Sequence, residues 1–203
     1  MDDESAEFSN WRDDARAWCA ERNWRWRAVL LLFLAWQAII PFRDGEAFHV
    51  FRGITFGAHE FGHLFWALSG SEWLAVAGGS LTQMLVPLGA AAVMRYYRDW
   101  FGVSACGLWL ASSFADLAPY IADARAMDLE LVSFSEDGAG HDWNYLLGKA
   151  GMLHRDLALA RFDRFVGFVV LVASVALALW LLQQMRRGAG VQAPSQARPS
   201  NFE

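Results

Sequence analysis

The sequence is poor in cysteine and has no excess of basic charge. Its two cysteines, Cys19 and Cys106, stand far apart, which excludes a disulfide framework and any four-cysteine zinc arrangement. The formal net charge is -5, and without a basic run to follow a phosphate backbone, nucleic acid is excluded as a partner. A cleavable signal is missing too. Residues 1–27 are long, acid-rich and followed by no small-residue cleavage pattern.

Apolar residues are abundant instead, at 55% of the chain with 11 Trp. They gather into runs of nearly uncharged sequence over 28–42, 48–68, 73–94, 101–122 and 165–182. A helix rising 1.5 Å per residue needs about 20 residues to cross roughly 30 Å of hydrocarbon. The reading is therefore an all-α, polytopic integral membrane protein with about five transmembrane helices. Before the first run, Trp11, Trp18, Trp24 and Trp26 alternate with Arg12, Arg16, Arg22, Arg25 and Arg27. That mixture suits an amphipathic helix at the headgroup level, or else a solvated tail. Gly78-Gly79 and Pro87 predict a bend or an irregular stretch in the third run, and Pro119 a break in the fourth. The residues after Arg187, rich in Gly, Ala, Pro, Ser and Gln, read as a disordered tail. Most Lys and Arg residues of five alternating spans fall on the N-terminal side, which predicts a cytoplasmic N-terminus.

The second run contains His59-Glu60-Phe61-Gly62-His63. Residues four apart share one helical face, so His59 and His63 can aim both imidazoles at a single zinc ion. Glu60, beside the first ligand, is positioned as general base toward zinc-activated water that attacks a peptide carbonyl. Three ionisable side chains within five positions of a membrane span are costly unless an ion, partners or water compensate them. A polar cluster joining helices is the competing explanation. Histidine-box di-iron chemistry is set aside, because only His49, His141 and His154 remain and they form no box.

Catalytic zinc usually has three protein ligands. In a five-span chain the second and fourth spans both run inward, which brings Asp116 and Asp123 toward His63 at the inner, N-terminal side. Asp123 follows Pro119 by four residues and is one candidate, with an interfacial pairing to Arg125 as the ordinary alternative. The His141-Asp142 pair is the other, with Asp142 equally suited to cap a helix starting at Trp143. Thr82 and Gln83 either hydrogen-bond an unwound substrate strand or join helices.

HEFGH in a hydrophobic helix, GGSLTQMLVP at 78–87 and APYIADAR at 118–125 together resemble the site-2 protease family of intramembrane zinc metalloproteases. The resemblance covers roughly residues 48–125, the three-helix catalytic core of that family. It implies His59 and His63 as zinc ligands, Glu60 as the catalytic acid/base and Asp123 as the third ligand. The chain departs from the family where an aspartate-glycine is usual, since Ala124 follows Asp123. The chain is then an N-terminal cytoplasmic or interfacial segment (1–27), a transmembrane metalloprotease-like domain (28–185, core 48–125) and a tail (186–203). The implied cofactor is Zn2+, and the implied partners are the lipid bilayer and a membrane protein or membrane-tethered peptide as substrate. The expected location is the bacterial inner (plasma) membrane. The alternative function is a non-enzymatic scaffold, or a metal or proton pathway, built on an interhelical His-Glu-His cluster.

Overall fold

The computed structural model describes residues 10–20, 22–129 and 140–192, with side chains described up to residue 188. Residues 1–9 and 193–203, parts of the expected N-terminal segment and tail, lie outside them, as does most of the stretch before His141. Among the described residues there are seven α-helices and one short 3-10 turn. These are α1 Trp11–Cys19, α2 Trp24–Arg43, α3 Arg52–Ala67, α4 Glu72–Tyr96, α5 Trp100–Ala122, α6 Asp142–Lys149 and α7 Asp156–Gln192. The chain is thus all-α, and α7 remains helical through the first residues of the expected tail.

Exposure is inverted relative to a water-soluble bundle. Leu32, Leu64, Phe65, Leu85, Phe165 and Val172 face outward, while Thr55, Ser80, Gln83, Ser112, Ser113 and Ser174 are buried. An apolar exterior needs hydrocarbon around it, and small or polar residues between helices supply close packing and hydrogen bonds where no hydrophobic drive exists. Four helices, α2, α4, α5 and α7, are long and apolar enough to cross a membrane. They alternate in direction. Gln83 of α4 donates to the Ser113 carbonyl of α5 while Met94 lies beside Gly102. Gly107 of α5 lies against Ser174 of α7, and Gly167 against Phe114. Phe42 at the end of α2 meets Phe168 near the start of α7. Buried Leu108 and Ala111 place α5 in the core, joined there by Leu31 of α2 and Leu171 and Leu181 of α7.

The expected second span does not cross the bundle. The 16 residues of α3 cover about 24 Å, and the helix starts in the middle of the bundle, where the Trp109 indole donates to Thr55 Oγ1 at 2.9 Å. Residues 44–51 lead into it by descending beside α5: Gly45 lies against Pro119, His49 bonds Asp116, and the Val50 amide donates to Gln37 of α2. Hence α2 ends, and α4 begins, at the same end of the bundle. The expected five alternating spans become four plus one re-entrant helix.

One further expectation is corrected: α5 runs unbroken through Pro119. α4 is likewise continuous helix through Gly78, Gly79 and Pro87, with no irregular stretch. The glycine pair lets two backbones meet: a Cβ on Gly62 or Gly78 would run into the facing helix. In addition, α1 packs at the opposite end of the bundle from α6, with Trp11 near Trp100 and Trp180 and the Cys19 thiol on the Leu181 carbonyl.

This topology places Glu46 and Ser71 on one side of the membrane. With Cys19 and Cys106 replaced by serine, Glu46→Cys and Ser71→Cys are both labelled by an impermeant maleimide from that same side and neither from the other. Labelling from opposite sides restores five full spans.

Candidate metal centre

His59 and His63 lie one turn apart on the face of α3 that packs against α4. Each ring is fixed through Nδ1. Gln83 donates its amide Nε2 to the Ser113 carbonyl at 2.9 Å, which leaves its Oε1 to accept from His59 Nδ1 at 3.0 Å. The Ala75 carbonyl, an acceptor only, takes the His63 Nδ1 proton at 2.8 Å. In a neutral imidazole with one nitrogen engaged as a donor, the other carries the lone pair. With both rings neutral, both Nε2 atoms present lone pairs, and both face one carboxylate oxygen.

That oxygen is Oδ2 of Asp142, 3.1 Å from His59 Nε2 and 3.2 Å from His63 Nε2. Two lone pairs and an anionic oxygen at this spacing repel unless positive charge sits among them, as a metal ion or as protons on the rings. The spacing suits an ion, since tetrahedral zinc with bonds of about 2.0 Å holds its ligands about 3.3 Å apart. Gly79 supplies the room. A Cβ there would lie 2.6 Å from His59 Nε2 and 2.5 Å from His63 Nε2, so the missing side chain leaves open the space between the two ring nitrogens. A carboxylate oxygen of Glu60 completes the group, within 4.8 Å of the imidazole nitrogens.

Asp142 comes from α6, which is not a membrane-spanning helix. Its cap is His141, not Asp142: the Asn144 amide donates to His141 Nδ1 at 3.2 Å, and Asp142 as first helical residue is free to turn inward. Three bonds seat α6 on the core. The Asp142 amide donates to Tyr120 Oη, the Trp143 indole to Ser80 Oγ, and the Asn144 amide group to the Ala124 carbonyl. Burial opposes ionisation of the Asp142 carboxyl, but when the rings carry protons on Nε2 its contacts with His59 and then His63 prevail and hold it low, at about 2.

Asp123 is placed elsewhere. Its carboxylate accepts from the Asp128 and Leu129 amides, and Oδ2 lies 3.3 Å from His141 Nε2. Asp123 thus touches the histidine that caps α6, and it bears on the centre through that cap. Its expected neighbour Arg125 pairs with Asp156 at 2.6 Å instead. Asp116 is also engaged away from the centre, with fully buried His49 at 3.0 Å. The sequence reading assigned His49 nothing, and its setting in the apolar FHVF stretch was the available signal. Thr82 and Gln83 serve between helices, Thr82 accepting from the Trp66 indole. No known protein family, curated protein or solved structure matches the chain.

A methyl group on Gly79 tests the cradle. Gly79→Ala loses Co2+ or Zn2+ binding measured by absorption or elemental analysis, whereas Gly89→Ala, which meets nothing within 4 Å, retains it. Asp142→Ala loses the ion as well. Asp123→Ala keeps one equivalent, bound about 10- to 100-fold more weakly, as outer-shell substitutions generally do.

Proposed function

We propose that this chain is an intramembrane zinc metalloprotease resembling the site-2 protease family, hydrolysing a peptide bond in or near a membrane-spanning substrate. One observation carries the reading: two imidazole lone pairs and a carboxylate oxygen converge around a glycine-lined space, with a glutamate beside them, inside an apolar bundle. This donor set fits zinc, and His59 Nε2, His63 Nε2 and Asp142 Oδ2 are the atoms that hold it. Asp142 takes the place that the family resemblance gives to Asp123. When bound, zinc supplies Lewis acidity that polarises a carbonyl and makes water a nucleophile near neutral pH.

The chain's own residues do the rest. Glu60 accepts the proton of the attacking water on its carboxylate and returns it to the leaving amide nitrogen. Gln83 and the Ala75 carbonyl keep both imidazoles in the tautomer that presents Nε2. α6 covers the centre from the end of the bundle where α3 leads into α4. A helical substrate shields its peptide bonds by internal hydrogen bonding, so local unwinding precedes attack. The basic residues around α1 support a reading in which that end faces the cytoplasm of a bacterial inner membrane and the centre the opposite face. This reverses the expected placement of the centre on the N-terminal side.

Glu60→Gln provides the test. With the protein reconstituted beside a transmembrane reporter peptide, this variant retains about one zinc per chain and cleaves at least roughly 100-fold more slowly than the unaltered protein. Undiminished cleavage refutes the assignment. Wild-type protein that holds no zinc, with Glu60→Gln disturbing only assembly, indicates the interhelical polar cluster.

A further inference from the structure

At the end of the bundle away from the metal centre, α1 and α7 enclose a groove of about 480 Å³ lined by Trp11, Arg12, Arg16, Ala176, Leu177 and Trp180. Its contents are ordered by depth. Arg12 and Arg16 sit one turn apart on α1, at the rim, and both are exposed. The indoles of Trp11 and Trp180, with centroids 5.8 Å apart, form the collar. Exposed Ala176 and half-buried Leu177 lie one turn further along α7 toward the hydrocarbon. Two guanidiniums above an indole collar and an apolar floor match, in order, a phosphate, a glycerol backbone and an acyl chain.

Surroundings at the same level support a headgroup region. Arg22 stacks on Trp18 and Arg27 on Trp26, each at 4.2 Å, and Arg95 lies 4.4 Å from the Trp100 ring. Such a basic and aromatic belt is attracted to anionic lipid and anchors at the interface. Asp13 holds one nitrogen of Arg16 at 2.9 Å in an exposed pair, a contact that a phosphate can displace because surface pairs are weak.

We propose that this groove is a binding site for one anionic phospholipid, whose phosphate is held by Arg12 and Arg16 and whose acyl chain lies along Ala176 and Leu177. Occupancy ties α1 to the spanning helices at the leaflet boundary. The proposal is independent of the metal centre.

The full-length protein in maltoside micelles is titrated with phosphatidylglycerol or phosphatidylcholine, and bound lipid is counted by native mass spectrometry. One phosphatidylglycerol binds preferentially, and an Arg12→Ala/Arg16→Ala double variant binds it roughly 20- to 30-fold more weakly, as expected for two interfacial charges. The Arg12→Lys/Arg16→Lys variant, which keeps the charge, stays within about threefold and shows that loss in the alanine variant does not come from unfolding. Leu177→Trp, which fills the apolar floor, reduces binding of the long-chain lipid more than that of its dihexanoyl analogue. Equal binding of the two lipids overturns the proposal, as does an unaffected alanine variant. Displacement by millimolar inorganic phosphate also overturns it, because the site then takes a free anion.

Discussion

The close approach of α3 to α4 is the constraint on which the centre depends. Helices in hydrocarbon gain nothing from hiding apolar surface from one another, so they associate where small residues let backbones touch and polar groups find partners. Gly62 and Gly78 meet backbone to backbone, and Gly79 lies directly under the two imidazoles. Larger side chains at these positions would push α3 away, and His59 would lose Gln83 and His63 would lose the Ala75 carbonyl. Each glycine weakens a helix by roughly 1 kcal/mol relative to alanine. The unbroken course of α4 through two of them shows that packing against α3 and α5 outweighs that cost.

From this contact a series of bonds extends through the core. Ser113 on α5 orients Gln83 on α4, and Gln83 orients His59 on α3. Tyr120 on α5 receives the Asp142 amide, with its ring 4.4 Å from that of His141. Each link fixes the direction of the next polar group, so the ring nitrogens and the carboxylate converge without a flexible step between them. Asp123 belongs to this arrangement at one remove, beside the cap of the helix that carries Asp142.

The helices and the paired histidines were legible because hydropathy and the four-residue spacing are local properties. Depth in the bundle is not local. The stretch 48–68 is as apolar as a full span, and what distinguishes a re-entrant helix is tertiary: Thr55 meets Trp109 and Ser113 at mid-bundle, and residues 44–51 reach it alongside α5. Counting that stretch as a crossing also reversed which end holds the centre. Gly78-Gly79 reads as a bend or an irregular stretch from sequence, which does not say whether a glycine loosens its own helix or admits a neighbour. The third acidic group was ambiguous for a similar reason. Asp123 and Asp142 are both near Pro or Gly and both precede plausible partners, and only the seating of α6 on Ser80 and Ala124 separates them.

Three of the bundle's acids share one means of compensation. Asp116 faces His49, Asp123 faces His141, and Asp142 faces His59 and His63. In a low-dielectric interior an aspartate paired with Arg or Lys is a fixed ion pair whose desolvation must be met in full. An imidazole partner gives the pair a second, neutral form by moving one proton, because histidine titrates where arginine does not. Asp156 marks the contrast, for its partner Arg125 is about half exposed and a permanent cation can stay hydrated there. Histidine therefore serves these three carboxylates, whereas fully buried Asp156 takes an arginine that reaches water, and Asp163 has a buried carboxylate oxygen with no hydrogen-bond partner. What singles out His59, His63 and Asp142 is that two rings converge on one oxygen. With both Nδ1 atoms engaged as donors, one proton bridges that oxygen to only one Nε2 and leaves the other lone pair facing it, a repulsion that a cation held among all three would relieve.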